Sequence, residues 1–135
     1  MSYKVAFEQK PGYVHAVVTG RNSSENVARY LEDVGRECLA RGASRVLIEE
    51  RLEGPRLAAT EVFDVASGGA ARGAGQLPVI AYVDVYAEGT LMKFAEDVAV
   101  NRGVRVRVFA TVAEAALWLR QLSADSPSGS DKSRP

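Results

Sequence analysis

The stretch Arg45-Val46-Leu47-Ile48-Glu49-Glu50-Arg51-Leu52-Glu53-Gly54-Pro55-Arg56 decides the fold. Its apolar centre, Val46-Leu47-Ile48, has the unbroken hydrophobicity of a strand covered on both faces, the habit of parallel sheets. Charge takes over at Glu49, and Pro55 is suited to open a helix, because a missing N–H costs nothing in the first turn. A buried strand handing over to a helix through a charged segment is the unit of an α/β sheet, and the loops at the C-terminal ends of such strands are where these folds recognise ligands. The candidate binding surface is therefore Glu49, Glu50, Arg51, Glu53 and Arg56, read as a loop leaving the strand. Asp84, at the end of the next strand, joins it.

Upstream, Tyr3-Lys4-Val5-Ala6-Phe7-Glu8 and Tyr13-Val14-His15-Ala16-Val17-Val18-Thr19 both alternate with period two and read as strands. Pro11-Gly12 between them presets a tight turn, Pro fixing one central dihedral and Gly accepting a positive φ at the next. The pair is an antiparallel hairpin. From Asn22 the period becomes helical, with Val27, Tyr30, Leu31, Val34, Cys38 and Leu39 on one face. Asn22, Ser23 or Ser24 can cap this helix and Gly42 can end it.

Downstream of the charged stretch, Val62, Val65, Ala66 and Gly69 form the thin apolar stripe of a second helix. The glycines of Gly68 to Gly75 end it, each lowering helix stability by about 1 kcal/mol relative to alanine. Pro78 to Asp84 is the next strand. Leu91, Phe94, Ala95, Val98 and Ala99 stripe a third helix closed by Asn101-Arg102-Gly103, and Arg105 to Phe109 is the last strand. Thr111-Val112-Ala113-Glu114 is a capping box opening a fourth helix, which turns Val112, Ala115, Ala116 and Leu119 inward and ends near Leu122. The order β-β-α-β-α-β-α-β-α predicts a mostly parallel sheet with an N-terminal hairpin. One domain spans residues 1–122, and the Ser-, Gly-, Asp- and Pro-containing residues 123–135 are expected to be a disordered tail.

Composition narrows the function classes. At 135 residues the chain has room for one core and hardly for two. Lys plus Arg and Asp plus Glu number 17 each, so no general electrostatic attraction to nucleic acid or anionic membrane arises. No apolar run approaches the roughly 20 residues of a membrane span. The alternating N-terminus lacks the apolar core of a signal peptide, which makes the cytoplasm the default expectation. Cys38 is the single cysteine, so an internal disulfide and a multi-cysteine metal site are excluded.

The element order and length resemble the STAS fold of bacterial anti-sigma factor antagonists and the related lipid-binding Sec14 fold. More closely, Arg45 to Arg56, Ala81-Tyr82-Val83-Asp84 and Phe94-Ala95-Glu96-Asp97-Val98-Ala99-Val100-Asn101-Arg102-Gly103 are similar to blocks of the SpoIIAA-like family of small bacterial proteins. The likeness extends to about Leu122. It implies a STAS-like α/β domain acting as a non-enzymatic regulatory or protein-interaction module. The alternative it implies is a small apolar-ligand or lipid binder of Sec14 type, with a cavity beneath the second helix. Antagonists of this fold are switched by phosphorylation of a Ser or Thr in the loop after the third strand. Here Glu49 to Leu57 contains no hydroxyl residue, and Thr60 comes only later, so control by the usual loop phosphorylation is not expected.

The remaining candidates for chemistry have simpler accounts. His15, the only histidine, lies within an alternating strand, and Cys38 on an apolar helix face, where a free thiol behaves as a small hydrophobe. Gly68 to Gly75 lacks the Lys-Ser or Lys-Thr of a phosphate loop and follows a helix instead of a strand. Glu49, Glu50, Glu53 and Asp84 are expected to gather at one sheet edge, where they could bind a divalent cation or hold a raised-pKa acid. Ion pairing with Arg51 and Arg56 is the preferred reading. No catalytic residue, cofactor or metal is assigned. A homodimer is expected through the edge formed by the hairpin, with Tyr3, Phe7 and Tyr13, since a bare edge invites pairing.

Overall fold

The computed structural model describes residues 2–55, 58, 61, 64, 65, 78–84 and 89–125. Five strands form one sheet in the order β1(Tyr3–Lys10), β2(Tyr13–Arg21), β3(Arg45–Glu53), β4(Val79–Asp84) and β5(Val106–Phe109). The first two are antiparallel and every later pair is parallel. The hairpin turn is as expected, with Gly12 at φ 86 after Pro11. Among the described residues three continuous helices accompany the sheet: α1(Ser24–Arg41), α2(Gly89–Asn101) and α3(Val112–Asp125). The second helix expected after Pro55 lies largely outside the described residues, as do Arg56, Thr60 and the glycine cluster.

Alternation along the strands sorts two cores. On one face Val14, Ala16, Val18, Val46, Ile48 and Leu52 pack against Val27, Tyr30, Val34 and Cys38 of α1. On the other, Tyr13, Leu47, Ala81 and Val83 pack against Ala115, Ala116 and Leu119 of α3. Burial on both faces explains the continuous apolar run of β3.

Helix α1 starts where Ser23, in an extended conformation, accepts a 3.0 Å hydrogen bond from the Asn26 N–H. It stops at Gly42, whose φ of 66 lets Ala43 N–H reach the Cys38 carbonyl at 2.8 Å. Leu39 departs from the expected stripe and is 80% exposed. The helix turns about 100° between Cys38 and Leu39, so only one of the two can face the sheet. Phe94 of α2 is likewise exposed, while Val98 is buried. At α3 the Thr111 hydroxyl accepts from the Glu114 N–H at 3.2 Å and donates to the Glu114 carboxylate, so one arm of the capping box is made. The helix reaches Asp125, three residues past Leu122, and the rest of the tail lies outside the described residues.

Candidate functional site

The charged stretch is not a loop. Strand β3 continues through Glu49, Glu50, Arg51 and Leu52 to Glu53, because β2 runs on to Arg21 and offers a ladder partner to each: Val17 to Glu49, Val18 to Glu50, Thr19 to Arg51, Gly20 to Leu52 and Arg21 to Glu53. Beneath the charge lies a period-two pattern, with Leu52 fully buried between exposed Arg51 and Glu53. The strand gives way only at Gly54, at φ 112.

Because successive side chains on a strand point to opposite faces, the two adjacent glutamates cannot share a site. Glu49 faces the α3 side. Its Oε1 lies 2.8 Å from Nε2 of His15, and its Oε2 accepts from Nε of Arg51. Only 9% of the Glu49 side chain and 16% of His15 is exposed, against 46% of Arg51. Burial pushes the Glu49 carboxyl up, but the hydrogen bonds from Arg51 and His15 outweigh it and hold it below the ordinary value of 4.5.

Glu50 faces α1 and is 2% exposed. The Tyr30 hydroxyl donates to its Oε2 at 2.7 Å, and the Tyr82 hydroxyl of β4 donates to the same oxygen. The two phenol oxygens lie 2.8 Å apart. Burial first, then the charge of Glu50 and its hydrogen bond, and finally the charge of Asp84, push the Tyr30 phenol well above its ordinary value of 10.0. Asp84 is the ladder partner of Glu50, so these two carboxylates share a face.

The strand end is tied to the β2–α1 junction by asparagines. Asn22 N–H donates to the Glu53 carbonyl at 2.7 Å and its side chain donates to the Pro55 carbonyl at 2.8 Å. Asn26 donates to the Arg21 carbonyl at 2.9 Å. Arg21 lies across Gly54, where an added Cβ would meet its guanidine atoms at 3.2 Å.

The expectation of a loop holding Glu49, Glu50, Arg51 and Glu53 is thus corrected to a strand end. The expected single carboxylate cluster is divided between two faces by the pleat. Glu49 does pair with Arg51, as preferred, whereas Arg56 lies outside the described residues. Among the described residues, no group of three or more His, Cys, Asp or Glu is arranged to hold a metal ion. Sequence reasoning missed Tyr30, Tyr82 and Asn26 as partners in this region and gave His15 only a generic structural role. The missed signal is chemical, since a buried tyrosine hydroxyl requires a partner, and Tyr30 stands on the apolar face of α1.

No protein-family model matches the chain, and no curated protein matches it in sequence. Among solved structures it is similar to the crystal structure of an anti-sigma factor antagonist from Mycobacterium paratuberculosis. The TM-score is 0.56 and the identity 12%, over 88% of this chain and 95% of that one. The fold is STAS-like. The resemblance drawn from the sequence therefore stands at the level of fold, with the hairpin, the parallel sheet and helices on both its faces. No helix among the described residues is long and apolar enough to cross a membrane.

Proposed function

We propose that this chain is a non-enzymatic regulatory module that binds a protein partner at the C-terminal ends of β2 and β3, without phosphorylation of the segment that follows β3. The observation that carries the reading is the state of the two adjacent carboxylates at this end, Glu49 and Glu50. Each is engaged by donors from its own chain, His15 and Arg51 for one, Tyr30 and Tyr82 for the other. A carboxylate so occupied stiffens a surface more than it performs acid–base work. What reaches solvent is Thr19, Gly20, Arg21, Arg51, Glu53, Gly54 and Pro55, a mixed-charge rim on a strand end held by Asn22 and Asn26. The STAS-like fold and the missing hydroxyl between Glu49 and Leu57 support the same reading.

The test is calorimetric titration of the purified chain against anti-sigma factors encoded in its own genome, with ATP present and intact mass recorded afterwards. Saturable binding that Glu53→Lys and Arg51→Gln weaken, and Lys93→Ala on α2 leaves alone, is the expected result, with no added phosphate. Phosphate on Thr60 would replace this mechanism with a displaced phosphoswitch. Absence of binding, together with an apolar molecule co-purifying in native mass spectrometry, would favour the Sec14-type alternative.

A further inference from the structure

The sheet has two outer edges, and the protein treats them differently. In β5 the outward N–H of Val108 donates to the Glu96 carboxylate of α2 at 2.8 Å, so that edge is engaged. Strand β1 forms the other edge along eight residues. Ser2 is the ladder mate of Arg21, accepting its N–H. Hydrogen-bonding sides alternate along an antiparallel strand, so Lys4, Ala6, Glu8 and Lys10 direct their backbone groups to β2. Tyr3, Val5, Phe7 and Gln9 direct theirs outward. Among the described residues nothing bonds the outward N–H and C=O of Val5 and Phe7.

We propose that β1 pairs antiparallel with β1 of a second copy about a two-fold axis at Ala6, continuing the sheet across the dimer. In that register Val5 lies opposite the second copy's Phe7 and Tyr3 opposite its Gln9. About eight backbone hydrogen bonds result, two for each outward pair. The even-numbered residues become the close, non-hydrogen-bonded pairs, with Ala6 opposite Ala6 and Lys4 opposite the second copy's Glu8 on both sides of the axis. Opposite charges directly across a ladder stabilise it and like charges disfavour it.

Charge selects this register over its neighbours. Sliding by two residues one way sets Lys4 against Ala6, and the other way sets it against Lys10. A one-residue slide would match outward groups with inward ones. Lys4 and Glu8 are exposed and stand on the face away from α1, clear of the Tyr3–Asp33 hydrogen bond and the Arg41–Phe7 contact. Within one copy Glu8 pairs only with Lys10, its own strand neighbour, at 3.0 Å, and Lys4 has no ion pair among the described residues. The expectation of pairing through Tyr3, Phe7 and Tyr13 is revised in its residues, because Tyr13 is 8% exposed and belongs to the core under α3.

Pairing of edges alone buries less than the surface of a standard stable interface, so the dimer is concentration-dependent. Sedimentation equilibrium over a concentration series should show the mass rising from 14.5 kDa toward twice that value. Lys4→Glu and Glu8→Lys each create two like-charge contacts and should weaken association about tenfold or more. The double exchange K4E/E8K should restore it, and so should mixing the two single variants, as a heterodimer. Unchanged melting of all variants at concentrations where the wild type is monomeric confirms that only association has moved. A mass of 14.5 kDa at every concentration overturns the proposal, as does association that the single charge reversals leave untouched.

Discussion

Replacing Tyr30 by Phe removes one oxygen from the interior and leaves the ring where it is. Tyr30 is fully buried and its hydroxyl sits 2.7 Å from Oε2 of Glu50 and 2.8 Å from the Tyr82 hydroxyl. A hydrogen bond to a charged group contributes about 1.5–3 kcal/mol, and Glu50 has little water to turn to at 2% exposure. For a chain of this size each kcal/mol moves the melting temperature by roughly 4 °C, so Tyr30→Phe should lower it by about 6–12 °C. Calorimetry and urea unfolding at neutral pH measure this. Arg29→Ala is the control, since its 3.1 Å pair with Glu25 is exposed at both ends and should matter by less than about 0.5 kcal/mol. Tyr82→Phe removes the other donor to the same oxygen, so the double variant should be non-additive by about 0.5–3 kcal/mol. The phenol of Tyr30 is raised by folding, hence its contribution is complete below 10.0 and declines as pH climbs past that value, where the unfolded chain ionises first. The deficit of Tyr30→Phe should therefore shrink in strong alkali. A Tyr30→Phe protein as stable as the Arg29→Ala control would refute the claim that these hydroxyls hold Glu50.

Two other predictions follow from the strand ends and turns. Folding lowers the Glu49 carboxyl below 4.5, so its contribution is present above that pH and is lost as pH falls through the folded value; Glu49→Gln should flatten the acid limb of a melting-temperature profile, and an unchanged limb would show that the His15 and Arg51 bonds carry no linkage. At Gly20, φ 127, an alanine Cβ would stand 2.6 Å from the Ser2 carbonyl oxygen and 2.7 Å from the Tyr3 Cα, so Gly20→Ala should cost more than about 2 kcal/mol. Gly42→Ala, at φ 66 with nothing within 4 Å, should cost only about 1 kcal/mol, and urea midpoints in the reverse order would contradict this ranking.

The order of the described elements, the hairpin turn, the stretch Asn22 to Ser24 that holds the helix cap and the inward face of α3 follow from local rules, and so were legible in the sequence. Pro11-Gly12, Ser23, Gly42 and the spacing of Ala115, Ala116 and Leu119 each carry their conformational preference within a few residues. The strand end from Glu49 to Glu53 was not legible in this way. Locally its charge reads as a loop, and only the continuation of β2 to Arg21 supplies the ladder that makes it a strand. The pleat then decides what composition cannot, sending Glu49 to His15 and Arg51 on one face and Glu50 to Tyr30 and Tyr82 on the other. Those partners lie 20 to 34 residues away in the chain, apart from Arg51 on the same strand. Secondary structure is written in neighbours and periods, whereas the partner of a buried charge is set by which strands and helices come to lie against it.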